Sequence, residues 1–324
     1  MNLRIRVMNL CIREICQHVL SVHQTVPRIT QSSFSLLTAM LLCAATGTFA
    51  QLPTSANEET NRVTISLVPK SSSLIQDNGV VWVALHMDIL DGWHVYWRNP
   101  GDAGLPTEIR WEQHPGLEPG EIHWPAPTRF DEDGITTYGY SDEVWLPVPF
   151  RITDTSPPTG DNTMLSAQAN WLVCKDICIP ESARAELRFN NNGTFPDYSA
   201  DTSALVKHTL EQLPRAARGW DATGILDGSV IRVVITPPEG IDLPHDPSTL
   251  YFYAYDSSIL EHTAPQQVRL EGRNLVLVLP VSRYMPSNLS QLEGILVAGA
   301  TPGAHSSLQA LEFDIPISRH SHDR

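Results

Sequence analysis

Along most of the chain, apolar residues recur at every second position, in short runs broken by Gly, Pro and Asp. That is the period of a half-buried β-strand rather than the 3.6-residue period of a helix. "RVTISLVP" sets Val63, Ile65 and Leu67 against polar neighbours. "GVVWVALHMDIL" reads as a longer, more buried strand, and "GWHVYW" follows it after the turn signal Asp91-Gly92. Further strands are expected at "TEIRWE", "GEIHWP", "EVWLPVPFRI", "TMLSAQANWLVC" and "RAELRF". Short strands at this spacing predict an antiparallel β-sandwich over residues 51–190.

A polar stretch from Asn190 to Thr202 reads as a linker. A short helix is expected from Ser203 to Leu213, with Leu205, Leu210 and Leu213 on one face, so residues 191–213 join two units. Strands resume at "SVIRVVITP", "TLYFYAYD", "QQVRLEG", "NLVLVLPV", "EGILVAG" and "LQALEFDIPI". Residues 214–318 therefore form a second β-rich domain, and the fold class is all-β. The polar tail, residues 319–324, is expected to be disordered, as solvated termini are.

Composition bounds the function. Twenty-five prolines in 324 residues favour strands and turns over long helices. The net charge of -14 argues against a nucleic-acid partner, which would need clustered Lys and Arg. Near the N-terminus, Arg28 precedes an uncharged stretch with an apolar core from Phe34 to Ala45, ending in "TGTFAQ". Thr48 and Ala50 fit the -3 and -1 positions of a signal-peptidase site, so residues 1–50 are read as a signal peptide cleaved after Ala50. Leu42 before Cys43 is too large for the usual lipoprotein signal. Residues 1–50 hold four arginines and one glutamate, so the remainder carries 18 basic against 35 acidic side chains, a net of -17. No later stretch is apolar enough to span a bilayer, and the exported protein is expected to be soluble.

Signal removal also leaves only two of the five cysteines, Cys174 and Cys178 in "WLVCKDICIPE". Residues four apart on an extended strand are separated by about 13 Å, far beyond disulfide range. If the two pair, "KDI" must therefore form a tight turn, and Pro180 with its β-like surroundings favours a turn joining two strands. Closing so short a loop stabilises by only about 2 kcal/mol, a weak staple for domains of this size. Spacing alone leaves three uses open: a structural disulfide, a redox pair, or a metal clip. For the last, no third ligand lies nearby in sequence. Lys175 favours a thiolate at Cys174, while Asp176 opposes it.

Three blocks together narrow that choice: "HVYWRNPGDAGLPTEIRW" (94–111), "IHWPAPTRFDEDGITTYGYSDEVWLPV" (122–148) and "WLVCKDICIPE" (171–181). They resemble the periplasmic N-terminal region of the DsbD/ScsB thiol:disulfide interchange family, with the ScsB branch the nearer likeness. The resemblance implies an immunoglobulin-like sandwich whose interchange pair is Cys174 and Cys178, and a periplasmic location. It implies electrons taken from a membrane carrier, here a separate membrane electron-transfer protein, and passed to thioredoxin-fold partners. It also implies a cap loop shielding the pair, with Tyr138 and Gly139 matching the Tyr-Gly step. Thr137 stands where the shielding aromatic would be, leaving Tyr140 as the substitute. A movable lid of this kind would limit unwanted exchange.

Other constellations are weaker. His94, Tyr96, Trp97 and Arg98 read first as a strand of core aromatics before a Gly/Pro turn, and second as a loop bordering the cysteines. His86, His94, His114 and His123 lack zinc-type spacing. Asp131, Glu132 and Asp133 read as a solvated acidic loop. No cofactor or metal is predicted. The leading expectation is thiol–disulfide interchange, a protein-disulfide reductase type of activity, with Cys178 as the attacking sulfur. The alternatives are a copper-binding or copper-tolerance accessory using the same thiols, and a structural module with a fixed disulfide.

Overall fold

The computed structural model describes residues 61–74, 79–153, 163–241, 243–244, 246–298 and 310–319. The expected signal segment and residues 320–324 of the tail lie outside them, while Arg319 closes the last strand. The chain is all-β, an immunoglobulin-like sandwich followed by a second β-rich unit. No helix among the described residues is long and apolar enough to cross a membrane.

The sandwich uses β1 (Val63–Pro69), β2 (Val80–Ile89), β3 (His94–Gly101), β4 (Glu108–Trp111), β5 (Leu117–Pro119), β6 (Thr128–Glu132), β7 (Ile135–Ser141), β8 (Glu143–Ile152), β9 (Met164–Cys174) and β10 (Cys178–Arg188). One sheet runs β1-β2-β8-β5; the other runs β10-β9-β3-β7-β6, with β4 also on β9. Alternation decides what each strand buries. Val83, Leu85 and Met87 of β2 meet Val95 and Trp97 of β3 and Trp171 and Val173 of β9 in one core. Burying each such side chain stabilises the fold by roughly 1.5–3 kcal/mol.

Two local expectations are corrected. "GEIHWP" forms no strand, although Gly120 and His123 donate backbone hydrogen bonds to Pro149 and Pro147. Those prolines have no N–H to return, so no ladder can close there. The "DGITTYGYSDE" segment is mostly strand rather than loop: after a turn at Asp133-Gly134 it forms β7, which pairs with β6 from Thr128↔Gly139 to Glu132↔Ile135.

The helix, α1 (Ala200–Gln212), begins three residues earlier than expected because Ser199 caps it, accepting a hydrogen bond from the Thr202 N–H. Its buried side chains are Ser203 and Val206, whereas Leu205 is exposed. Val206 packs on Ala84 and Trp145, on the outer side of the first sheet.

The second unit comprises β11 (Arg215–Ala216), β12 (Asp221–Asp227), β13 (Val230–Thr236), β14 (Leu250–Ala254), β15 (Gln267–Glu271), β16 (Asn274–Pro280), β17 (Gln291–Ala298) and β18 (Leu311–Arg319). Its strand order is β14-β17-β18-β12-β13-β16-β15, with β11 parallel to β18. Strand β14 has two destinations: Leu250, Phe252 and Ala254 enter this unit's own core, while Tyr251 and Tyr253 join the core of the sandwich.

Candidate functional site

Strands β9 and β10 form a long antiparallel hairpin in register from Leu165↔Leu187 to Cys174↔Cys178. The register places the two cysteines opposite each other at the tip, with Cα atoms 4.1 Å apart and a disulfide between them. "KDI" is the turn, as the spacing required. The two sulfurs belong to different environments. Cys174 is 2% exposed, whereas Cys178 and the turn residues Lys175, Asp176 and Ile177 are exposed. Ile177, 64% exposed beside Cys178, is a large apolar side chain facing water.

The neighbouring strand supplies the floor. His94 of β3 pairs with Cys174 across the sheet, and Val95 pairs with Val173. Because side chains alternate, Val95 and Trp97 enter the core while His94 and Tyr96 share the other face with Cys174. The Tyr96 hydroxyl donates to Cys174 Sγ at 2.8 Å and lies 3.5 Å from Cys178 Sγ. His94 meets the Tyr96 ring edge-on at 5.2 Å and stacks on Phe130 of β6 at 4.8 Å.

Burial governs the protonation of this face. It raises the Tyr96 phenol above its ordinary range, and the Glu132 charge adds to that. Tyr96 is therefore a donor throughout the physiological range. Burial also lowers the His94 imidazole, against the opposing pull of Glu132. Its Nε2 has no hydrogen-bond partner among the described residues. The loop after β3 folds over the phenol: a Cβ on Gly104, at φ +110°, would overlap the Tyr96 ring. The Gly/Pro turn that reads first as a plain connection thus closes the site from one side.

The expected shielding residues sit elsewhere. Tyr138, Gly139 and Tyr140 lie in β7, where Gly139 pairs with Tyr96 and Tyr140 with Val95. Period-two alternation therefore sends Tyr138 and Tyr140 into the core, away from the disulfide face. The Tyr140 hydroxyl donates to the Pro125 carbonyl. The Tyr138 hydroxyl lies 2.9 Å from that of Tyr251 and 3.2 Å from His262 Nδ1. Gly139 itself falls on the face of Tyr96, and a Cβ there would overlap the Val95 carbonyl. The aromatic that does reach this face is Phe130, which the sequence reading passed over. The strand parity of 128, 130 and 132 against 137, 139 and 141 is the signal that could have found it. Of the acidic cluster, Asp131 pairs with Arg129, and Glu132 exerts its charge on His94 and Tyr96. Among the described residues no group of three or more His, Cys, Asp or Glu side chains is gathered as a metal site.

Residues 66–190 match the family model described as the thiol:disulfide interchange protein DsbD, N-terminal. The solved N-terminal periplasmic domain of ScsB from Proteus mirabilis is similar in fold, with a TM-score of 0.50 and 20% identity, over 78% of this chain and 91% of that one. An Escherichia coli adhesin, FdeC, aligns at a TM-score of 0.20 and 10% identity over 78% of this chain and 63% of its own. No curated protein matches the chain in sequence. Residues 66–190, which carry the hairpin, Tyr96 and both sulfurs, are a DsbD N-terminal-like domain.

Proposed function

We propose that this protein carries out thiol–disulfide interchange through Cys174 and Cys178, in the periplasm, between a membrane electron carrier and thioredoxin-fold partners. The observation that carries this reading is the asymmetry of the pair: one sulfur is open at a hairpin tip and the other is buried under a phenol. The family match over residues 66–190 supports it.

The steps follow from that asymmetry. A donor thiolate attacks the accessible Cys178 Sγ, the Cys174–Cys178 bond breaks, and a mixed disulfide forms on Cys178. The electron pair leaves with Cys174 as a thiolate, which the Tyr96 O–H stabilises by hydrogen bonding. The donor's second thiolate then attacks its own mixed sulfur and releases Cys178, so the pair gains two electrons. In the outward half, the Cys178 thiolate attacks a partner disulfide and Cys174 resolves the mixed species. Exposed Ile177 gives a partner an apolar contact beside the reacting sulfur.

The test is a redox titration of the protein with thiol trapping. Interchange requires a potential above about −300 mV; a lower value marks a reduction-resistant structural bridge and rejects the proposal.

A further inference from the structure

The second β unit reaches the strands that build the disulfide face. Tyr251 and Tyr253 of β14, with Tyr255 just beyond it, point out of their own unit in period-two succession. Tyr253 meets Trp97 edge-on at 5.9 Å, and the Arg98 guanidinium lies 4.0 Å over Tyr255. Asn99, buried, donates to the Ala254 carbonyl at 2.7 Å while accepting from the Gly101 N–H. These contacts hold β3 immediately after Tyr96. On β6, the Arg129 guanidinium lies 5.1 Å over Tyr251, next to Phe130. On β7, Tyr138 shares its hydroxyl with that of Tyr251. His262 joins this contact, its Nδ1 3.2 Å from the Tyr138 hydroxyl and its Nε2 2.9 Å from the Ser257 carbonyl.

Strands β3, β6 and β7, which flank the cysteine hairpin on the disulfide face, are thus each held against β14 by a residue beside the one that lies on that face. The Tyr96–sulfur contact tolerates little movement, since hydrogen bonds weaken within a few tenths of an ångström of their optimum. We propose that the tyrosine row Tyr251, Tyr253 and Tyr255 is a positioning device, through which the second unit fixes the Tyr96 hydroxyl on Cys174 and so sets the reactivity of the disulfide. This rests on the interchange reading.

The test measures the rate at which dithiothreitol reduces the oxidised full chain, for the native protein, Tyr251→Phe and Tyr255→Leu. Tyr251→Phe keeps the ring and removes only the hydroxyl, so folding is retained. Leu277→Val, inside the second unit's own core, is the control for loss of stability alone. Misplacement costs about 100-fold per ångström, so a shift of about a quarter of an ångström should slow reduction roughly 3-fold in the two tyrosine variants. The control should match the native rate. In a Tyr96→Phe background the tyrosine substitutions should have no further effect, because they act through that hydroxyl. Rates equal to native in both tyrosine variants, or effects that add to Tyr96→Phe, overturn the positioning role and leave interchange standing. A native chain that dithiothreitol reduces but that cannot pass electrons to a thioredoxin-fold disulfide overturns both.

Discussion

Replacing Tyr96 with phenylalanine removes one oxygen and keeps the ring that Gly104 and His94 pack against. The oxygen lost is the donor 2.8 Å from Cys174 Sγ. A hydrogen bond to a charged group contributes about 1.5–3 kcal/mol. In the exchange transition state the departing sulfur carries roughly half a charge, so about half of that, ~0.7–1.5 kcal/mol, is lost from the barrier's stabilisation. At 1.36 kcal/mol per decade, Tyr96→Phe should slow reduction of the disulfide by roughly 3- to 12-fold. The assay is pseudo-first-order reduction by dithiothreitol, quenched with acid and counted by thiol alkylation. Thermal unfolding is measured in parallel to confirm an intact fold. An unchanged rate would remove the hydroxyl from the mechanism. A faster one would mean that it shields the sulfurs rather than stabilising the leaving thiolate.

Replacing both Cys174 and Cys178 by serine should abolish exchange while costing no more than about 2 kcal/mol in urea unfolding, because the loop closed is so short. Gly104→Ala should destabilise by about 1–3 kcal/mol in the same assay, since the position combines φ +110° with contact against the Tyr96 ring. Burial lowers the His94 pKa below its unfolded value of about 6.5. Its contribution to stability is therefore complete above that pH and is lost as pH falls toward the folded value; a His94→Phe variant should lose less stability than the native chain as pH falls from about 7 to 5. Burial raises Tyr138 above the unfolded phenol value of about 10. That contribution is complete below about pH 10 and is lost as pH rises toward the folded value, so unfolding curves between about pH 9.5 and 11.5 should fall less steeply for Tyr138→Phe than for the native chain.

How much of this was legible in the sequence depends on what each feature requires. Strands such as Val63–Pro69 and Glu143–Ile152 were legible because their alternation is local. So were the hairpin tip and the turn between the cysteines, since residues four apart can pair in no other way on strands. The helix start was missed because Ser199, a strong cap, lay inside a stretch read as linker. The site's floor was less visible. "HVYW" reads equally well as core, and only pairing with β9 reveals that His94 and Tyr96 face the sulfurs while Val95 and Trp97 do not. Family likeness placed Tyr138-Gly139 near the site, but it carries no parity. One residue decides whether a side chain lies over the disulfide or in the core.

That parity also explains why the chemistry is so firmly placed. A one-residue slip of β3 against β9 would turn Val95 and Trp97 toward the sulfurs and drive His94 and Tyr96 into the sandwich. The slip would forfeit roughly 1.5–3 kcal/mol for each apolar side chain exposed, and it would bury a phenol and an imidazole among Leu85, Leu146 and Val173 with no partners. The Tyr96–sulfur hydrogen bond is far too weak to hold β3 in place by itself. The core under β3 fixes the strand, and the strand delivers the hydroxyl. Substitutions at Val95 or Trp97, which touch neither sulfur, should therefore alter exchange as well as stability.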